Sequence, residues 1–266
     1  MSALRISPFG LATGLTLAAA YLLLRPGRSH NPTRPRGNSK TPLTRLLETG
    51  ATAMQPRPPL RGFHTYLVGF HPMKEDPERQ WIAHHWCRLA NDEFAECVMF
   101  DGNTADANLV GIEYIISERL FNQLPPEEQA FWHPHNGEIL SGQLAAPGLP
   151  APAEKMLMRR QINSYGKTWH LWDTGTDRQP GDDLPFGEPK LAWSFNHAGE
   201  LQPWLQALRD RELGINTEAR RASREDLVDH AHPQSGADAL QGRFERPTRE
   251  IPGVQGRRVR LESTER

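Results

Sequence analysis

Histidine is the residue type in this chain best suited to chemistry. There are 11 histidines; His64, His71, His84, His85, His133, His135 and His170 share one stretch, with His197 beyond it. Imidazole is the commonest metal ligand and titrates near neutral pH. A cluster of such side chains could hold a cation or move a proton. The doublet His84-His85, in AHHWC, cannot chelate one ion by itself. Neighbours on a strand point to opposite faces, and on a helix they lie about 100° apart. His133 and His135, in WHPHNGE, are better placed, because i and i+2 of an extended segment share a face. Glu138 follows closely. One member of the doublet with His133, His135 or Glu138 would make the three-ligand set of a catalytic zinc site, with iron the other candidate ion. His71 and His170 are further candidates. Glu113 lies inside the apolar run VGIEYIIS, where a carboxylate is costly unless paired. It therefore sits on a solvated face or partners a histidine or arginine.

A second reading needs no ion. His85-Trp86, Trp132-His133 and Trp169-His170 suit an aromatic core in which each ring nitrogen finds a hydrogen bond. The chain has no HExxH, no CxxC and no zinc-deaminase pattern. It also lacks GxSxG, a phosphate-binding P-loop and GxGxxG. The cysteines are Cys87 and Cys97. They cannot form a disulfide scaffold, although one bond between them is conceivable if their segments pair as a hairpin. Cys87 has His85 at i−2 on the same side of a strand, an arrangement that could activate a thiol. Ordinary packing of a small buried cysteine is the alternative.

The elements that must position these residues fall between Phe63 and Asn216. HTYLVGFH, QWIAHHWCR, EFAECVMFD and ANLVGIEYIIS are rich in β-branched and aromatic residues and are separated by turn-like PMKEDPE, LAND and DGNTAD. They read as an antiparallel meander. Ser117 can cap a helix over SERLFNQL, and PPEEQAFW carries proline and acids in its first turn. EILSGQLA, KTWHLWDT and PKLAWSFN read as strands. APAEKMLMRRQINSYG reads as a helix ending at Gly166. In LQPWLQALRDRELG, Leu201, Trp204, Leu205 and Leu208 follow helical spacing, and Gly214 stops the run. The expected fold is a single α+β domain, residues 61–215, with a mainly antiparallel sheet, a few packed helices and extended or disordered termini.

Both ends differ in texture. Residues 1–24 contain the uncharged run from Pro8 to Leu24, close to the lower length limit for a spanning helix. A secretory signal is one reading; an uncleaved anchor is preferred, because YLLLRPGR follows where a polar cleavage region should be. Arg25, Arg28, Arg34, Arg36 and Lys40 come after the run, which places the folded part on the cytoplasmic side if it spans. Residues 25–60 read as a Pro/Arg-rich linker, with a helical turn or two in LTRLLETGATAM. Residues 216–266 are charged and poor in large apolar side chains, and read as a disordered or weakly docked tail. The net charge of −1 excludes general nucleic-acid binding.

Several strings taken together resemble one known family. FH at Phe70-His71, AHHWC at Ala83–Cys87, ECVMFD at Glu96–Asp101, LVGIEYIISERLFNQLPPEEQAFWHPHNGEILSG at Leu109–Gly142 and YGKTWHLW at Tyr165–Trp172 are similar to the oil body-associated proteins, in the same order and with similar spacing. The resemblance runs from about His64 to His197. It implies a lipid- or membrane-associated, non-enzymatic role, linked in plant seeds to the size and integrity of lipid droplets. It brings no established reaction or catalytic residues. The N-terminal apolar run and the charged C-terminal extension depart from the plant pattern.

Overall fold

The computed structural model describes residues 27–257. The apolar run 8–24, and with it the expected anchor, lies outside the described residues. Helix α1 (Pro42–Met54) is capped by the Thr41 hydroxyl, which accepts from the Thr44 N–H, and none of its residues is buried. A 3-10 turn (Pro58–Gly62) leads into the sheet. Strands β1 (Thr65–Pro72), β2 (Gln80–Asn91), β3 (Phe94–Phe100) and β4 (Leu109–Ile116) pair antiparallel in sequence, as the meander reading expects.

Short helices α2 (Glu118–Phe121) and α3 (Pro126–Gln129) follow, with the Ser117 hydroxyl capping the first. Next come β5 (His133–Pro134), α4 (Asn136–Leu140), α5 (Ala151–Gln161), β6 (Tyr165–His170), β7 (Lys190–Leu191), β8 (His197–Ala198) and α6 (Pro203–Leu213). Gly214, at φ 64°, ends α6 in the left-handed conformation that glycine adopts without a Cβ penalty. The chain continues through α7 (Thr217–Ser223), a 3-10 segment (Glu225–His230) and β9 (Arg249–Glu250).

The main sheet runs β1-β2-β3-β4-β6, with β5 and β7 sharing the far edge of β6. Register shifts at Leu89/Asn91 and Met99/Phe100 mark bulges, which bend and twist strands. The sheet curls until the residues after β7 return to β1. Met73 bridges Ala192, and the Trp193 N–H donates to the Pro72 carbonyl at 2.9 Å. One face of each of β1 to β4 and β6 is thereby turned inward. The register places Gly69, Ala83, Gly111 and Gly166 on that face, and their small size leaves room inside.

One end of the interior is filled by the main apolar cluster. Leu67, Ile115 and the Cys87–Cys97 pair meet Ile139 and Leu140 of α4, Met158 of α5, and Leu227 and Ile251. The outer face of β1 is also covered, with Phe70 against Phe195, Leu201 and Leu205. Burying each such side chain is worth about 1.5–3 kcal/mol.

Five expectations are corrected. The charged segment beyond Asn216 is not a loose tail up to Arg257. Leu227, Leu240 and Ile251 are buried, Val228, Phe244 and Val254 are partly buried, and Arg224 is buried with its Nη1 donating to the Ile139 and Leu144 carbonyls. Low apolar content misleads here because buried polar groups do much of the docking. EILSGQLA is not a strand: residues 136–140 form α4, followed by a turn. The helix expected to reach Gly166 ends at Gln161, and Gly166 lies in β6. In PKLAWSFN only Lys190 and Leu191 are strand. Part of the supposed linker is also held. The Ser29 hydroxyl donates to Glu212, and Asn108 donates to the Thr33 carbonyl.

Candidate functional site

Glu113 of β4 points into the curled sheet and is buried. Three imidazoles face its carboxylate. His85 Nε2 of β2 lies 3.2 Å from Oε2; His133 Nε2 of β5 and His135 Nε2 lie 3.5 and 3.4 Å from Oε1. Strand alternation explains the convergence. His85 is on the inward face of β2, and Glu113 two strands away shares that face through Cys87↔Cys97↔Glu113. His133 pairs with Gly166 across β5–β6, so WHPH delivers two rings to one side. A Cβ at Gly166 would come within 2.3 Å of Glu113 Oε1 and 2.6 Å of His135 Nε2, so only glycine leaves space for the cluster.

Around this centre lie His71, His170 and Glu138. His71 Nδ1 is 3.1 Å from His170 Nε2, and the His170 ring stacks on Trp81. Ligand atoms of Glu113, His133 and His135 lie within 4.8 Å of one another, as do those of His71, His85 and Glu113, and those of His71, His133 and Glu138. A surface cleft lined by Ser29, Asn31, Trp81, Trp172 and Thr174 reaches His170.

Burial controls the protonation of these groups. It lowers His133 and His170 to about 4, and it takes His71 well below the ordinary imidazole range. Burial pushes the Glu113 carboxyl up, but the imidazoles of His133, His135 and His85 outweigh it and hold the group well below the carboxylate range. Glu138 goes the other way: burial and the neighbouring Glu113 charge raise it well above that range. The interior thus holds an ionised carboxylate at Glu113, a neutral carboxylic acid at Glu138 and neutral imidazoles at His71, His133 and His170.

The sequence candidates sort cleanly. His71, His85, Glu113, His133, His135, Glu138 and His170 come together. Of the alternatives open for Glu113, a solvated face or a histidine or arginine partner, the structure shows the histidine one. His84 does not join them. It faces the other side of β2, where its Nδ1 is 2.8 Å from the Tyr66 hydroxyl, and burial lowers it to about 3. Cys87 is no nucleophile, because it is bonded to Cys97 across the β2–β3 pair. Nearby on β6, the Lys167 ammonium pairs with Glu128 at 2.6 Å. Sequence reasoning missed Ser164, whose hydroxyl lies 2.8 Å from His135 Nδ1, and the role of Gly166. The available signal for Gly166 was its place in the YGKTWH strand.

These features define a class: a small α+β domain whose curled antiparallel sheet encloses a buried histidine–carboxylate cluster. The family model described as "Protein of unknown function (DUF1264)" matches residues 57–228. Oil body-associated protein 2A of Arabidopsis thaliana is 37% identical over 80% of this chain and 85% of its own length. Oil body-associated protein 1B of the same plant is 35% identical, over 73% and 78%. Oil body-associated protein 2A of Zea mays is 36% identical, over 76% and 79%. The chain belongs to the oil body-associated protein family. No solved structure matches it.

Proposed function

We propose that this protein works at a lipid surface, lying on it through α1. The observation that carries this reading is the exposed apolar stripe of that helix. Leu43, Leu46, Leu47 and Met54 fall on one side at i, i+3, i+4 and i+11 spacing, and are 64%, 68%, 64% and 79% exposed. Thr44, Arg45, Glu48 and Thr52 occupy the opposite side. A helix this short is marginal in water without tertiary burial. No residue of α1 is buried in the domain, so its stripe needs another apolar phase. Basic residues flank it, Arg36 and Lys40 before and Arg57 and Arg61 after, as suits an anionic interface.

The relatives' name, oil body-associated, supports the same destination, a droplet or membrane surface. No helix among the described residues is long and apolar enough to cross a membrane. The apolar run 8–24 would supply a second attachment, and two weak attachments together make anchoring stable. The reading assigns no reaction.

Flotation of the full chain with phospholipid vesicles and with triacylglycerol droplets tests it. The wild type is expected to float; Leu46→Asp/Leu47→Asp combined with deletion of residues 1–24 is expected to stay at the bottom. If that double variant floats as the wild type does, the surface reading is wrong. Each change alone tells which attachment dominates.

A further inference from the structure

We propose that Glu113, His133, His135 and His85 bind one divalent first-row transition ion of the zinc or iron(II) class, with imidazole nitrogens and one carboxylate as ligands. This stands apart from the lipid reading and does not rest on it.

The first ground is convergence. Three Nε2 atoms from β2, β5 and the turn into α4 meet one carboxylate of β4 at 3.2–3.5 Å, in a fully buried space. The second is the tautomer of His135. The Gln161 carbonyl can only accept, and the Ser164 hydroxyl lies 2.7 Å from it, so that hydroxyl donates there. Ser164 must then accept from His135 Nδ1–H at 2.8 Å. The Nδ1 contact thereby fixes the ring so that Nε2 stands 3.4 Å from Glu113 Oε1. Orienting a ligand histidine through its other nitrogen is the ordinary outer-shell device of metal sites.

The third ground is the set of unpartnered polar atoms. Both ring nitrogens of His85, both of His133 and Oε1 of Glu138 are buried with no hydrogen-bond partner among the described residues. Each orphan is unfavourable in a folded protein, because it has given up water without gaining a partner. Packing alone would not gather so many in one place, whereas ligation satisfies the nitrogens that face Glu113. His71 and Glu138 sit at the margin, as outer-shell residues.

Metal analysis of the full chain, untagged and expressed with zinc, iron and manganese supplied, is the test. We expect about one ion per chain. His133→Ala and Glu113→Gln should each lower that content at least tenfold, the scale of losing a site's support. His84→Ala, on the other face of the same strand, should leave it unchanged. Because buried variants can fail to fold, a second measurement uses only the wild type. After chelator treatment, added Co²⁺ should give d–d bands of a nitrogen/oxygen site, and Zn²⁺ should raise the melting temperature. A wild type that purifies with no stoichiometric ion and gives neither bands nor a thermal shift overturns the proposal. So does full metal content in folded His133→Ala and Glu113→Gln variants.

Discussion

Glu113 governs the interior at the scale of single residues. A carboxylate this deep is tolerated because three imidazoles face it, and removing the charge leaves those rings without a partner. Gly166 shows how closely the space is fitted. Its backbone is ordinary extended strand, so alanine there brings no conformational strain, only a methyl group pressed on Glu113, His133 and His135. We expect Gly166→Ala to cost about 1–3 kcal/mol by overpacking, read as a lower denaturant midpoint with an unchanged slope. An unchanged midpoint would mean the cluster is loosely packed. Ser164→Ala, by contrast, should leave the fold intact and weaken zinc affinity about 10–100-fold, measured by chelator competition. Much of this was legible in sequence. Alternation alone split His84 from His85, and i, i+2 spacing put His133 and His135 on one side. Which member of the doublet faces inward was not legible, because register decides it. Ser164 was invisible because its role depends on where the α5–β6 turn lands beneath His135.

At the scale of elements, β2 and β3 are joined through directly opposed Cys87 and Cys97. The closed loop is short, so the chain-entropy contribution is at most about 3 kcal/mol. Cys87→Ser/Cys97→Ser should lower the melting temperature yet keep the fold, since the hairpin register is also set by inward Ala95 and Met99. Loss of the folded circular dichroism signal would show that the bond, not the apolar pattern, holds the pair. The C-terminal segment is the other element to weigh. Sequence composition hid it because its docking is polar. Arg224 donates to the Ile139 and Leu144 carbonyls, Gln234 donates to Ser164 and accepts from the Asn136 N–H, and Arg220 pairs with buried Glu154. Charge counts read such residues as solvated. Arg224→Met should cost about 2–4 kcal/mol by leaving buried carbonyls unpaired, and Leu227→Ala a similar amount from the core. Urea midpoints of the two variants check this; wild-type values would make the segment a passive wrap.

For the whole molecule, the curled sheet and its wrapping termini leave α1 as the one described helix of its length without a buried residue, whereas α5 and α6 each bury part of one face. The meander, the α6 stop and the single α+β domain were legible from periodicity and turn residues. The exposure of α1 was not, because an apolar stripe in a sequence does not say whether a domain covers it. If the helix lies flat with its leucines in lipid, Arg45 points away from the surface while Arg57 and Arg61 lie beside it. Each basic side chain close to an anionic membrane contributes about 1 kcal/mol, lost within a Debye length and screened by salt. Arg57→Gln/Arg61→Gln should therefore weaken binding to anionic vesicles on the order of 30-fold at low salt, since 1.4 kcal/mol is tenfold. The same change should do little on neutral vesicles or at high salt. Arg45→Gln should do little anywhere. Vesicle co-sedimentation across a salt series separates the cases. Equal losses for Arg45→Gln and the Arg57/Arg61 pair would mean that charge near α1 acts without orientation, and that the helix does not lie on the lipid by its leucine face.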